Sequence, residues 1–103
     1  MPIKTENIKK IELHGLSGGY KIVKDENDIK KIEALINTVK IKGICKEDYF
    51  GMGCGVRITY SDGKVLNFAF LSSTVNYANN GSLSCYYIDK DIVDELKSYY
   101  DKL

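Results

Sequence analysis

His14 is the single histidine of this chain, so any general-base scheme in the usual pH range rests on it. Cys45, Cys54 and Cys85 are the candidate nucleophiles. Cys54 lies beside a glycine-rich segment, and a His14–Cys54 pair would be the minimal arrangement for an activated thiolate. The local pattern argues against it, because Cys54 shares a strand face with Val56 and Ile58, where a thiol is buried and inert. An odd cysteine count without CxxC spacing favours free thiols. The alternative is one disulfide plus one free thiol, with Cys45 and Cys54 bracketing the glycine segment as one candidate pair. A Cys3His zinc set completed by His14 is the least favoured, since such sites are built from closely spaced ligand pairs. No cofactor is implied.

Gly51, Gly53 and Gly55 invite a phosphate-loop reading, because glycine lets backbone N–H groups approach an anion. The context opposes it: the segment precedes a strand instead of joining a strand to a helix, and no Gly-Lys-Ser/Thr ending follows. A bulge or tight entry into the next strand is the better account. Acidic residues gather at Asp25/Glu26/Asp28, Glu47/Asp48 and Asp89/Asp91/Asp94/Glu95, and helix capping accounts for two of these groups. Eight tyrosines are the most unusual feature. A large area with a polar tip suits a protein or glycan surface. Core packing absorbs most of them, but Tyr86 is expected to point outward, opposite Leu83, Cys85 and Tyr87. Together with Tyr77, Asn79 and Asn80 it forms the candidate recognition surface.

The elements that must position these residues follow from periodicity. Residues 8–14 place Ile11 and Leu13 opposite Lys10, Glu12 and His14, and residues 20–24 alternate again, so 8–24 reads as a hairpin. Asp25 caps a helix whose Ile29, Ile32, Ile36 and Val39 share one face, and Gly43 stops the pattern. Residues 44–52 read as a connecting loop. A strand carrying Cys54, Val56, Ile58 and Tyr60 on one face joins, through Asp62 and Gly63, a strand carrying Leu66, Phe68 and Phe70. Residues 76–81 read as a polar turn and 82–88 as the returning strand. Asp89 caps a last helix with Ile92, Leu96, Tyr99 and Leu103 on one face. The expected fold is α+β in the order β-β-α-β-β-β-α, an antiparallel sheet of about five strands with two helices packed mainly on one face.

At 103 residues, 44% hydrophobic and 28% charged, the chain is one ordinary globular domain, residues 1–103. Fifteen basic against fourteen acidic residues, with Arg57 the only arginine, disfavour nucleic acid as a partner. Residues 65–88 carry no charge, yet asparagines and serines interrupt them too often for a transmembrane segment. The start of the sequence has no apolar signal region, which leaves localisation open between envelope or secreted, if a signal was removed, and cytoplasmic.

The segments Ile-Lys-Lys-Ile-Glu-Leu at 8–13, Lys-Asp-Glu-Asn-Asp-Ile-Lys-Lys-Ile at 24–32, Val-Arg-Ile-Thr-Tyr-Ser-Asp-Gly-Lys at 56–64 and Tyr-Tyr-Ile-Asp-Lys-Asp-Ile-Val-Asp-Glu-Leu at 86–96 resemble, in layout, a small domain of unknown function found in Firmicutes lipoproteins and secreted proteins. The resemblance implies an envelope-facing, non-enzymatic α+β module and brings no catalytic residues. The expected function is therefore a binding domain for a protein or glycan partner. The alternative is a small intracellular regulator, an inhibitor or immunity-type protein acting by protein contact. Oligomeric state has no signature in the sequence.

Overall fold

The computed structural model describes residues 6–15, 19–45, 53–79 and 82–102. The tip of the first hairpin, most of the loop expected over 44–52, the turn residues Asn80 and Gly81, and Leu103 lie outside them. Nine elements follow in order: β1 Ile8–His14, β2 Tyr20–Val23, α1 Glu26–Thr38, β3 Ile41–Ile44, β4 Cys54–Tyr60, β5 Val65–Phe70, β6 Thr74–Asn79, β7 Ser82–Ile88 and α2 Val93–Lys102. The fold is α+β, and the sheet is antiparallel with the strand order β2-β1-β4-β5-β6-β7-β3.

Local chemistry explains most of these boundaries. The Asp25 carboxylate accepts from the Asn27 and Asp28 amides at 2.9 and 3.2 Å, satisfying donors that the first turn of α1 leaves open. Ile29, Ile32 and Ile36 then fall on the buried side, and Val39 ends the helix by turning extended. Between β4 and β5 the Asp62 carboxylate accepts from the Lys64 amide at 3.0 Å, and Gly63 adopts φ +91°, the left-handed region that glycine enters without a Cβ penalty.

Cross-strand registry builds a single core. Leu13, Val56 and Phe68 lie in one row, and Ile11, Ile58 and Leu66 in the next. With Phe70, Val75 and Ile88 these residues join Ile32, Ile36, Ile92 and Leu96 of the helical layer in one buried cluster. Both helices thus cover the same face. The chain leaves one edge of the sheet at β2 and re-enters at the opposite edge as β3, so α1 is the crossover spanning the sheet.

The sheet has seven strands where about five are expected, and two were hidden in the sequence. Residues 41–44 were expected to stop a helix and enter a loop. They form β3, with a lysine and a glycine in four positions, because β7 offers a partner edge. Residues 76–79 were expected to turn. They belong to β6, whose asparagines are poor strand formers but which is paired on both sides, to β5 and β7. The cap of α2 also differs: Asp91 Oδ1 accepts from the Val93 amide at 2.9 Å, whereas Asp89 Oδ1 accepts from the Lys40 amide at 2.8 Å.

Candidate binding surface

The tyrosine surface expected from the sequence is taken apart by the sheet. Phe68, Tyr77 and Ser84 are paired in one row, and the Tyr77 ring stacks on Phe68 with centroids 5.0 Å apart. Tyr77 is half-buried against the core on the helical side. Tyr86, expected outward, packs partly against the same core, and Tyr87, expected inward, is 40% exposed. The two faces of β7 are therefore reversed: Tyr86 is paired with Val75, whose face the helices cover, and Cys85 is buried on the other side through a covalent bond. Asn79 is paired with Leu66 and Ser82, and Asn80 lies outside the described residues.

That bond joins Cys45 to Cys85 across 40 residues of sequence. It corrects the expectation of free thiols, and its partner is not the nearby Cys54, which remains a free, buried thiol. Pairing β3 with β7 brings Cys45 and Cys85 together, a proximity created by topology and not by sequence spacing. The zinc reading fails with it, since two of its four proposed ligands are bonded to each other.

The catalytic dyad fails on geometry. His14 is directly opposite Gly55 in the β1–β4 ladder, so its ring stands on the face opposite Cys54. Burial pushes the Cys54 thiol up to about 11, with the Lys97 charge opposing the shift. His14 instead stacks with Tyr20, centroids 5.6 Å apart, and faces Glu12 at 3.7 Å. Lys10 holds the other oxygen of the same carboxylate at 3.3 Å, and Arg57 is paired directly opposite Glu12. This polar row stands on the face opposite the helices. The glycine segment is structural where it is described: a Cβ on Gly53 would run into the Phe70 carbonyl oxygen and come within 2.9 Å of Leu71 Cδ2.

The feature missed by sequence reasoning is the β3 edge. Its pairings are Ile41 with Ile88, Gly43 with Tyr87 and Ile44 with Tyr86. Two steps along β3 thus match one step along β7, which makes Lys42 the extra residue of a β-bulge. In a regular strand Ile41 and Ile44 would point to opposite faces. The bulge puts both on the helical side, beside Ile88 and Tyr86, and leaves them 46% and 74% exposed. All five large apolar or aromatic residues exposed among the described residues, Tyr20, Ile22, Ile41, Ile44 and Tyr87, stand on the two edge strands or on β7 beside β3.

Both ends of β3 are clamped. At one end the Lys40 amide donates to Asp89 Oδ1 at 2.8 Å and the Asp89 amide donates to the Lys40 carbonyl at 3.0 Å. This hydrogen bond holds the Asp89 carboxyl below its ordinary range, helped by the charges of Lys90 and Lys40. At the other end the Cys45 amide donates to the Cys85 carbonyl at 2.9 Å, beside the disulfide.

Among the described residues no helix is long and apolar enough to cross a membrane. Comparison with protein-family models, with curated proteins and with solved structures finds no match for the chain.

Proposed function

We propose that this chain is a non-enzymatic binding domain of a bacterial envelope or secreted protein. The observation that carries the reading is the Cys45–Cys85 disulfide, because such bonds persist in oxidising compartments and are rare in cytosolic proteins. It favours the exported module over a small intracellular regulator. The Firmicutes-type layout points the same way. The binding side of the reading rests on the concentration of exposed apolar side chains at the sheet edges, where the chain has least else to do with them. The separation of His14 and Cys54 onto opposite faces removes the one thiol mechanism the composition offered.

The test is to isolate the natural gene product from its host by rapid acid quenching, alkylate it in denaturant, and measure its intact mass with and without prior reduction. An exported domain takes one alkyl group, at Cys54, before reduction and three after it. Three alkyl groups without reduction, on a product recovered with the cytosol, would overturn the export reading and restore the intracellular regulator.

A further inference from the structure

We propose that β3 is an acceptor edge: an extended segment of a partner protein, alternating apolar and acidic residues, adds to it as an eighth strand. The proposal deepens the binding-domain reading and rests on it in requiring the disulfide to be formed, so that β3 is held as an edge.

The edge itself dictates the form of the ligand. The Cys45 amide points at β7, so by alternation along an antiparallel strand the N–H and C=O of Ile44 point away from the sheet. Such groups are completed by another extended backbone. Clamping at both ends holds β3 extended before any partner arrives, which lowers the ordering cost of docking. Ile41 and Ile44 extend the core past its last strand on the helical side, so alternate residues of the incoming strand must be apolar to cover them.

Charge selects the partner. Lys40 and Lys42 are exposed on or beside β3, no acidic residue occurs between positions 34 and 46, and the Asp89 carboxylate at the Lys40 end is engaged by the Lys40 amide, so Lys42 carries most of the selection. A second copy pairing through β3 would set these lysines against their own counterparts. A second copy offering β2 would set them against Lys21 and Lys24, in a stretch from 15 to 24 that also lacks any acid. Like charges across a strand pair are destabilising, so neither edge of this chain suits its own copy and an acidic strand suits β3. The short length of β3, its bulge and its lysine are devices that discourage indiscriminate edge pairing, which leaves a selective acceptor instead of a general one.

The experiment uses the full, oxidised chain, its disulfide verified by intact mass. Two pools of short synthetic peptides are offered, one alternating Val, Ile or Leu with Glu or Asp, the other alternating the same apolar residues with Lys. Amide exchange and chemical shifts are read at Lys42 and Ile44. We expect the acidic pool to protect the Ile44 amide and the basic pool to leave it unchanged. Lys42→Glu should weaken the selected acidic peptide by about tenfold or more. Ile44→Ser should weaken it while the spectrum of β4 and β5 stays as in the parent. Absence of protection by the acidic pool, equal protection by both pools, or a concentration-dependent dimer seen through β3 would each overturn the proposal. A reduced natural product would instead count against the compartment alone, since these measurements are made on protein already shown to be oxidised.

Discussion

Removing the Cys45–Cys85 bond is the perturbation whose size can be worked most directly. The bond closes 40 residues, and in the chain-entropy description such a loop restricts the unfolded ensemble by roughly 13 cal/mol/K, or about 4 kcal/mol at 25 °C. Domains of this size are stable by only about 5–15 kcal/mol, so the bond is a large share of the total. The native site should tolerate its loss, because Cys45 and Cys85 are 7% and 5% exposed and two small apolar groups can remain there without an unpaired polar atom. Cys45→Ala/Cys85→Ala is therefore a cleaner variant than serine, which would bury hydroxyls. With a urea dependence of about 2 kcal/mol/M, the unfolding midpoint should fall by roughly 2 M, and the slope should rise because the open unfolded chain exposes more surface. The amides at positions 40 and 45, which are bonded across to Asp89 and to residue 85, should lose exchange protection first, while those of β4 and β5 keep theirs up to the reduced global stability. A midpoint lowered by less than about 0.5 M, with unchanged slope, would refute the reasoning, since it would mean that the loop is not restrained by this bond.

Other perturbations have equally direct readouts. Phe70→Ala, at a fully buried position, should cost about 3–5 kcal/mol in chemical denaturation, whereas Asn67→Ala on the exposed face of the same strand should stay within about 0.5 kcal/mol. Asp25→Ala should cost about 1 kcal/mol by removing the acceptor for two amides of α1; a loss under about 0.3 kcal/mol would deny it the capping role. Cys54, with its thiol held near 11, should resist iodoacetamide at pH 8 in the folded protein and react promptly in denaturant. Asp89 has a depressed folded pKa, so its stabilisation is present above the ordinary value of 3.8 and is lost as pH falls through the lower folded value. Exchange of the Lys40 amide should accelerate in that acid window, and Asp89→Asn should remove the effect. Glu33 runs the other way: burial raises its pKa, opposed by Lys30, so the carboxylate costs stability at neutral pH and the cost is relieved as pH falls towards 4.5. Glu33→Gln should therefore leave the neutral-pH midpoint unchanged or slightly raised, and a marked fall would show that the carboxylate has a favourable partner.

What could be read from the sequence was whatever neighbouring residues decide among themselves. The β1–β2 hairpin, the isoleucine face of α1, the Asp25 cap and the Asp62–Gly63 turn need only local periodicity and turn chemistry, and each stands where periodicity placed it. β3 and β6 were invisible because their strand character is conferred by pairing: Ile41–Ile44 has no alternation to find, and the bulge at Lys42 would hide it in any case. The same omission reversed Tyr86 and Tyr87. With β6 missing from the sheet, the alternation of β7 has no neighbour to phase it, and Leu83, Cys85 and Tyr87 together read as the inward set. Cys85 is indeed buried, but by its bond to Cys45 on the face away from the helices. A buried cysteine is thus a poor phase marker for a strand unless its bonding is known.

The topology also explains why the missed strand is the interesting one. Seven strands span about 29 Å at the usual spacing, and a helix of 13 residues reaches only about 20 Å, so α1 and the short stretches flanking it together carry the chain to the far edge. Among the described residues β3 has β7 as its one strand neighbour and a length of four residues, which by themselves do not hold a strand in place. The Asp89–Lys40 hydrogen bonds and the disulfide supply what packing does not. If those clamps served stability alone, a polar residue would serve as well at 44, where most of the side chain is in water. Ile44 at 74% exposure, on an edge fixed at both ends and bordered by lysines, is instead what an edge kept ready for an acidic strand requires. Ile44→Thr separates the two accounts: it should leave the stability measured in urea within about 0.5 kcal/mol of the parent while abolishing protection by the acidic peptides. A destabilisation of 2 kcal/mol or more would instead assign Ile44 to the core of this chain, and the edge would then need no partner.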